Sequence, residues 1–324
     1  MKQPIFYSSF ASEIYSYLDH RESSGYNNDS NTVNLRKFDN FCVQQGLSEP
    51  VFTTETAVKW LERRDNEATT THYARINSIK QFLIFLSHKD YDVFVTNDIR
   101  FRPTQFKPHI YTDDEIRRYF HAVDTYESSW SRNKAIQYPV LFRLLYCCGT
   151  RINETLGIRK RDVDLEGGII KLMETKNDCE RYVVLRDDLG DLMKQFAEKS
   201  FYLLGDRDYI FTNSKGKRMT GERVYRAHRL FLRNAEIPYI GGGYGPRVHD
   251  WRHTMAVRSF KQMIDTGMDL YVALPILSTY LGHKTIFATE QYIRLTMEIY
   301  PYIEEKCRAK MEKVFGEVFN NEND

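Results

Sequence analysis

The chain has 324 residues, of which 42% are hydrophobic and 14% aromatic, so it is long enough for two domains with real cores and extensive disorder is excluded. Its formal net charge of +2 excludes bulk basicity as a source of nucleic-acid affinity, which must come from local clusters. The apolar runs are too short to span a bilayer and the amino terminus has no apolar signal region, so we expect a soluble, cytoplasmic protein. The five cysteines include no Cys-x-x-Cys pair, so we expect neither disulfides nor a zinc site.

The first hundred residues are predicted to be helical. Apolar side chains recur there at helical spacing, and the last of the stripes is the clearest. The predicted helices are centred on residues 14–18, 33–42, 54–61 and 76–86. The faces of the fourth helix that lie away from its stripe carry Arg75 and Lys80, which we expect to be available to a partner.

A basic linker is predicted to follow. Residues 100–108 contain two prolines, the cations Arg100, Arg102 and Lys107, and no acidic residue. This composition is typical of a domain boundary. We therefore expect a helical domain over residues 1–104 and a second domain over residues 105–324.

The second domain is predicted to mix helices and strands. Thr112, followed by three acids, is expected to cap a helix, and an apolar helix over 136–148 ends at Gly149. Two β-rich runs, 169–173 and 182–185, flank a polar turn and predict a hairpin, and 209–211 is a further short strand. Helices resume near residue 249. The fold class is α+β, mainly α-helical, with a small antiparallel sheet.

A final helix is predicted from about Tyr302, with a polar end at 320–324. Ile303 and later apolar residues fall on one face of it. Such a stripe is either part of the core or a docking surface for a neighbouring subunit, and the sequence leaves both possibilities open.

Several polar residues of the second domain indicate a functional site only when they are considered together, in their order along the chain. Taken singly, each has an ordinary explanation, since the chain has 22 tyrosines and nine histidines and a lysine in a turn is usually just solvated. Their order along the chain is unusual, however. The set is Arg151 after a glycine, Lys176 in the hairpin turn, His249 and Arg252 three residues apart, and His283 nine residues before Tyr292.

These blocks resemble the tyrosine recombinase (integrase) family. Gly149-Thr150-Arg151, the turn lysine, His249-Asp250-Trp251-Arg252-His253 and Leu281-Gly282-His283 with Tyr292 occur in the family's order. The resemblance covers residues 110–300 through these motifs and extends loosely to the helical first hundred, which looks like the family's core-binding domain. It implies site-specific DNA recombination through a 3′-phosphotyrosine intermediate, as expected of a mobile-element integrase.

The resemblance also assigns roles. It implies that Arg151 and Arg252 contact the scissile phosphate and that Lys176 is the general acid toward the leaving 5′-oxygen. His249 would serve in acid–base work, His283 would occupy the last ring-bearing position, and Tyr292 would be the nucleophile. Glu154 and His253 match supporting positions.

Elementary chemistry agrees with these roles. Displacement at a phosphodiester builds negative charge that guanidinium groups stabilise, and a tyrosine with a pKa near 10 needs nearby cations and proton acceptors to attack at neutral pH. The arginines supply the charge that a metal supplies elsewhere, and the phosphotyrosine conserves bond energy. We therefore expect neither a metal cofactor nor ATP.

The sequence departs from the family pattern in one spacing and in Trp251, which replaces the leucine common between the histidine and the arginine, and two of the assigned residues have alternatives. The 31 residues from Arg252 to His283 exceed the usual spacing, which resembles transposon- or phage-borne members. The hairpin offers Lys171 and Arg181 as alternatives to Lys176. Three other tyrosines, Tyr280, Tyr300 and Tyr302, are alternatives to the nucleophile, but only Tyr292 has the expected distance from Leu-Gly-His.

Contacts with DNA and with other subunits are expected from the same resemblance. It implies double-stranded DNA with a specific recombination site, a homotetramer on two duplexes joined through the carboxyl-terminal helix, and work at the nucleoid. The core-binding region is expected to begin near residue 5, and we therefore expect no additional arm-binding domain. The expected phosphate contacts are Arg75, Lys80, Arg100, Arg102, Lys107, Arg159 and Lys160.

Three other functions compete with recombination. A type IB topoisomerase shares the chemistry but acts as a monomer, a non-catalytic relative would bind DNA without cutting it, and a metal-dependent nuclease would be stopped by chelators. The full set of active residues disfavours the non-catalytic relative, and the expected independence of metal disfavours the nuclease.

Overall fold

The computed structural model describes residues 4–96, 107–127, 132–173, 180–241, 245–283, 287–303 and 305. Lys176, Arg100 and Arg102 lie outside these ranges, as do residues 306–324 of the expected final helix. Contacts divide the chain into two units, residues 1–106 and 107–324, each of which is described by itself.

Unit 1 contains the four helices that periodicity predicts. They are α1 (Ala11–Ser23), α2 (Asp29–Gln44), α3 (Thr54–Leu61) and α4 (Thr69–Ser87). The side chain of Thr53 caps α3 by accepting a hydrogen bond from the Thr56 N–H group. Aromatic residues dominate the core, where Phe38 lies against Phe10 and Trp60 with ring centroids 5.5 and 5.4 Å apart.

The expectation that Arg75 lies on an open face of α4 is wrong. Its side chain is only 1% exposed and forms a two-pronged ion pair with Glu67, at 2.8 and 2.9 Å. Its remaining hydrogen bonds go to the carbonyl groups of Trp60 and Glu62 at 2.6 and 3.0 Å, and the guanidinium lies over the Trp60 ring. Arg75 therefore closes the turn between α3 and α4 and does not face a DNA backbone.

Unit 2 begins with two helices that the sequence predicts. They are α5 (Asp113–Asp124), which Thr112 and Glu115 close with reciprocal capping hydrogen bonds, and α6 (Arg132–Cys147). The short α7 (Ile152–Gly157) follows. The sheet is antiparallel with strand order β1 (Val163–Asp164), β2 (Ile169–Leu172) and β3 (Arg181–Val184), so the predicted hairpin is confirmed.

The remaining helices of unit 2 carry the candidate site. They are α8 (Asp187–Ser200), α9 (Gly221–Asn234), α10 (Asp250–Asp265), α11 (Leu270–Leu281) and α12 (Phe287–Ile299). Sequence patterns missed α8, α9 and the short β1. The strand expected at 209–211 is instead an isolated bridge between Arg159 and Tyr209. The predicted class, mainly helical with a small antiparallel sheet, is confirmed.

Two apolar cores lie beneath the site. One contains α5, α6, α8, α9 and the sheet and ends at Trp251, which stacks on Tyr111 with centroids 3.8 Å apart. The other joins α10, α11 and α12 and contains Tyr292 and Ile303. No helix in the described part of the chain is long and apolar enough to cross a membrane.

The start of the expected final helix belongs to this second core. Ile303 is fully buried in it, and the hydroxyl of Tyr302 donates to Asp265 on α10 at 3.1 Å. At Ile303 the stripe is therefore core. Its later members, residues 307–318, fall outside the part of the chain that the structure describes.

Candidate active site

The loop between α6 and α7 presents Arg151. Gly149 has a φ of +57° and ends α6, and a side chain there would meet the methyl group of Met255 at 2.7 Å. Arg151 then precedes α7. Its N–H group and its Nη1 atom donate to the two carboxylate oxygens of Glu154 at 2.8 and 2.6 Å, so the expected ion pair is present. This grip fixes the guanidinium at the edge of the site, where it is 19% exposed.

Glu154 is shared by two arginines. The carboxylate oxygen that accepts from the Arg151 N–H group also accepts from Nη2 of Arg181 at 2.8 Å. Burial alone would raise the pKa of Glu154, but Arg181 and the hydrogen bonds from Arg151 outweigh it and lower that pKa. The carboxylate is therefore ionised and holds two cations in place.

Arg252 lies on α10, one turn after His249. The buried Asp250 accepts a hydrogen bond from the N–H group of Arg247 at 2.9 Å and fixes the start of the helix. Arg252 donates to the carbonyl groups of Gly149 and Leu281, both at 2.5 Å, and to Nε2 of His283 at 3.1 Å. Burial, followed by repulsion from Arg151, lowers the pKa of Arg252 to about 10.

His283 follows the end of α11. Gly282 has a φ of +66° and terminates the helix, which turns the histidine toward Arg252. Because an arginine can only donate, Nε2 of His283 accepts, and Nδ1 carries the proton that it shares with the Thr289 hydroxyl at 2.8 Å. Burial and the charges of Arg252 and Arg151 lower the pKa of His283 to about 4, which keeps it neutral.

Tyr292 lies on α12 between two histidines. Its ring is nearly parallel to that of His283, with centroids 6.0 Å apart, and 5.3 Å from that of His253. The residue is only 1% exposed. The spacing argument from Leu-Gly-His to Tyr292 thus corresponds to direct contact between the end of α11 and α12.

His249 is the open edge of the same cluster. The residue as a whole is exposed, and its ring lies perpendicular to that of His253, with centroids 5.0 Å apart. The protein packed around it, together with the charges of Arg252 and Arg247, lowers the pKa of His249 to about 4. Burial and neighbouring charges lower that of His253 to about 3. Both rings are therefore neutral at physiological pH and able to accept a proton.

The charge of the site is unbalanced. Three guanidinium groups, those of Arg151, Arg181 and Arg252, converge around one carboxylate, that of Glu154. Among the residues that the structure describes, no group of three His, Cys, Asp or Glu side chains is arranged to hold a metal ion. Excess positive charge beside a buried phenol suits an anion that a nucleophile attacks.

The structure brings together Arg151, His249, Arg252, His283 and Tyr292 as the sequence predicts; Lys176 falls outside the described ranges. Sequence reasoning missed the part played by Arg181, which it weighed only as an alternative to the lysine. The strand pattern could have shown that Arg181 faces inward, because it lies two residues before the buried Val183 and so shares its face of the strand. The other alternative, Lys171, pairs with Glu180 at 2.8 Å.

The remaining expected DNA contacts are partly engaged within the protein. Lys107 pairs with Glu298 at 2.7 Å and stays mostly exposed. Arg159 lies over the Tyr209 ring, and the ammonium of Lys160 donates to the carbonyl groups of Phe201 and Leu204 at 3.2 and 2.9 Å. Lys80 is half-buried on α4.

Comparison with known proteins gives one consistent result. Residues 110–298 match the phage integrase family. The chain is 27% identical over 305 residues, 90% of its length and 95% of the relative's, to a putative integrase/recombinase of Sinorhizobium fredii. It is 25% identical to the tyrosine recombinase XerC of Staphylococcus saprophyticus, with 86% and 90% covered.

Solved structures agree on the fold. The XerH site-specific recombinase in a post-cleavage complex matches with a TM-score of 0.64 and 16% identity, covering 83% of this chain and 76% of that one. The Tn1549 transposon integrase bound to transposon right-end DNA matches with a TM-score of 0.62 and 15% identity, covering 85% and 92%.

Proposed function

The chain belongs to the phage integrase family of tyrosine recombinases, enzymes that break and rejoin DNA, and we propose that Tyr292 is the residue with which it does so. The observation that carries this proposal is the enclosure of the Tyr292 ring by His283 and His253, next to the convergent guanidinium groups. Of the chain's 22 tyrosines, this one combines the family spacing with a cationic neighbourhood.

The reaction proceeds by in-line displacement. The phenol oxygen of Tyr292 attacks the scissile phosphorus, the bond from phosphorus to the 5′-oxygen breaks, and a 3′-phosphotyrosine forms. The phenol proton passes to a neutral imidazole, for which His249 is the open candidate. The leaving 5′-oxygen takes a proton from Lys176. Rejoining reverses these steps with a 5′-hydroxyl as the nucleophile, so bond energy is conserved and no ATP is needed.

The arginines stabilise the charge that develops during displacement. Arg151 and Arg252 reach the non-bridging oxygens, and His283, whose Nε2 accepts from Arg252, helps to hold that guanidinium in place. Arg252 is already held by the carbonyl groups of Gly149 and Leu281, so its fork is oriented before the substrate arrives. No step needs a metal ion, and activity is expected to persist in EDTA.

The two units divide the work. Residues 1–104 form the core-binding domain and residues 105–324 the catalytic domain, and double-stranded DNA with a specific site is the substrate. Lys80, Arg100, Arg102, Lys107 and Arg159 are proposed phosphate contacts, whereas the bonded ammonium of Lys160 is a weaker one. Four protomers assemble on two duplexes through the carboxyl-terminal segment, at the nucleoid, for integration or excision of a mobile element.

A suicide-substrate trap tests the nucleophile. Nicked duplexes taken from the DNA that flanks the gene, and from a randomised library, are incubated with the protein in EDTA, and covalent adducts are read on denaturing gels. Tyr292→Phe is expected to abolish the adduct, because a phenyl ring has no attacking oxygen. Tyr280→Phe is the matched control: burial raises the pKa of the Tyr280 phenol, and its adduct is expected to persist. An adduct that survives Tyr292→Phe contradicts the proposal.

A further inference from the structure

Arg181 holds two parts of the site together. Its Nη2 atom donates to Glu154 at 2.8 Å, and its Nη1 atom donates to the carbonyl groups of Leu281 and Tyr280 at 2.5 and 3.3 Å. Glu154 belongs to α7, whereas Leu281 ends α11, 127 residues further along the chain (281 − 154). The arginine itself is the first residue of β3, in the last described pair of the hairpin, opposite Leu172.

The groups that Arg181 contacts are the groups that hold the proposed phosphate ligands. Glu154 grips Arg151 through the other prong of its carboxylate, at 2.6 Å. The Leu281 carbonyl, two residues before His283, accepts from both Arg181 and Arg252. One guanidinium fork therefore sets the distance between the loop that carries Arg151 and the turn that carries His283.

The two terminal nitrogens of Arg181, Nη1 and Nη2, donate to groups of the protein. The fork of Arg181 is aimed at a carboxylate and two helix carbonyls, and its side chain is 9% exposed. Burial lowers the pKa of Arg181, an effect that Glu154 partly offsets and Arg151 reinforces. This third cation repels Arg151 and Arg252, and its ion pair with Glu154 opposes that repulsion.

We propose that Arg181 is a positioning residue of the recombination reaction, which aligns Arg151 and Arg252 on the scissile phosphate through Glu154 and the carbonyl end of α11. It does not touch the substrate. This inference rests on the proposed function, since it takes Arg151 and Arg252 as phosphate ligands. The planar fork is essential, because a lysine ammonium in its place is a point charge that cannot span both partners.

The test compares two substrates. In a methylphosphonate linkage a methyl group replaces one anionic oxygen, so less negative charge develops and less depends on the alignment of cations. The rate of adduct formation by an excess of protein is measured on the phosphodiester and on the methylphosphonate, with the suicide duplex that the natural chain cleaves. The ratio of the two rates does not depend on the fraction of protein that is folded.

Arg181→Lys and Arg181→Met are both expected to lower the ratio of phosphodiester to methylphosphonate rates, by about 10- to 100-fold. Arg151→Gln should lower it in the same direction. The matched control is Arg143→Met, which removes a partly buried arginine that ties α6 to Asp124 at the end of α5, and it should leave the ratio unchanged.

Three results would overturn the inference. Arg181→Lys with a normal ratio would mean that charge alone matters, an equal fall on both substrates would mean a role in folding only, and normal rates in both variants would mean no role. If the natural chain itself forms no adduct at Tyr292, the proposed function fails; if it does and only the Arg181 variants behave unexpectedly, the inference alone fails.

Discussion

Among the residues that the structure describes, unit 1 and unit 2 each bury one arginine almost completely, and the two are partnered in opposite ways. Arg75 and Arg252 are both 1% exposed. Arg75 meets a carboxylate through both prongs of its fork, at 2.8 and 2.9 Å. Arg252, within the described part of unit 2, makes its hydrogen bonds to two carbonyl groups and an imidazole.

The difference in partners distinguishes an arginine that stabilises the fold, Arg75, from one whose charge is available to a ligand, Arg252. A buried cation with its own carboxylate is neutralised locally, whereas one held by dipoles beside other cations keeps a net charge. The pKa values agree in direction: hydrogen bonds from Arg75 lower that of Glu67 to about 2, whereas burial and Arg151 lower that of Arg252 to about 10. Burial alone does not distinguish the two roles; the partner does.

The largest expected effect comes from removing the Arg252 guanidinium. Arg252→Gln is expected to slow adduct formation by about 1,000-fold, because a donor aimed at developing charge is lost. Its free energy of unfolding should change by less than about 2 kcal/mol, since relief of repulsion offsets the lost hydrogen bonds. Single-turnover cleavage and urea denaturation measure the two effects. A large loss of stability with normal cleavage would reverse the roles of the two arginines.

Removing the Arg75 guanidinium, which Glu67 neutralises, should lower the stability of the protein. Arg75→Gln leaves the Glu67 carboxylate buried without its partner and is expected to lower the free energy of unfolding by about 3–5 kcal/mol. The control Arg36→Gln, on the exposed face of α2, should change it by less than about 0.5 kcal/mol. Denaturation of each variant provides the measurement, and replacing Glu67 and Arg75 together with Met should recover much of the loss.

Acid should loosen unit 2 before unit 1. Burial lowers the pKa of His253 to about 3 from an ordinary 6.5, so the unfolded chain binds this proton first and stability falls as the pH drops from 6.5 toward 3. For Glu67, with a pKa of about 2 against 4.5, the loss begins only below 4.5. Each such histidine contributes a slope on the order of 1 kcal/mol per pH unit.

Hydrogen exchange read by mass spectrometry between pH 7 and pH 4.5 measures the order of loosening, once rates are corrected for their intrinsic pH dependence. His253→Asn is expected to flatten the pH dependence in α10 and to leave α4 unchanged. Equal loosening of both units across this range would contradict the expected order.

The smallest effect concerns an exposed pair. Lys107 and Glu298 are paired at 2.7 Å but are 71% and 43% exposed. Glu298→Gln should change stability by less than about 1 kcal/mol. If Lys107 contacts a phosphate, the variant should bind DNA about two- to threefold more tightly at low salt, because the lysine no longer has a competing partner, and the gain should vanish as salt rises. Fluorescence anisotropy measures it, and a gain that is insensitive to salt would contradict the assignment of Lys107.

Local pattern was sufficient for much of the fold. The stripe of α4, the cap at Thr112 and the two β-rich runs depend on neighbours a few residues away, and each predicted its element. Helix α9 was missed although its buried side chains at Val224, Ala227 and Phe231 recur at helical spacing, so a local signal for it was present. The two-residue strand β1 is too short to have a period at all.

The sequence predicted which residues form the site but not the contacts between them. Order and spacing identified Arg151, Arg252 and Tyr292, since the family pattern depends on position along the chain. The contact of Arg181 with the Leu281 carbonyl joins residues 100 positions apart, and no local signal encodes it. Arg75 failed for a different reason: its partner Glu67 is close in sequence but lies in the turn before α4, where helical spacing gives no information about contacts.

The burial of the Tyr292 ring bears on when the enzyme can cut DNA. A phenol that is 1% exposed cannot meet a phosphodiester until α12 shifts relative to the rings of His253 and His283. If Tyr292 is the nucleophile, cutting of DNA therefore requires a movement of α12, and we expect the enzyme to cut only after a duplex has bound.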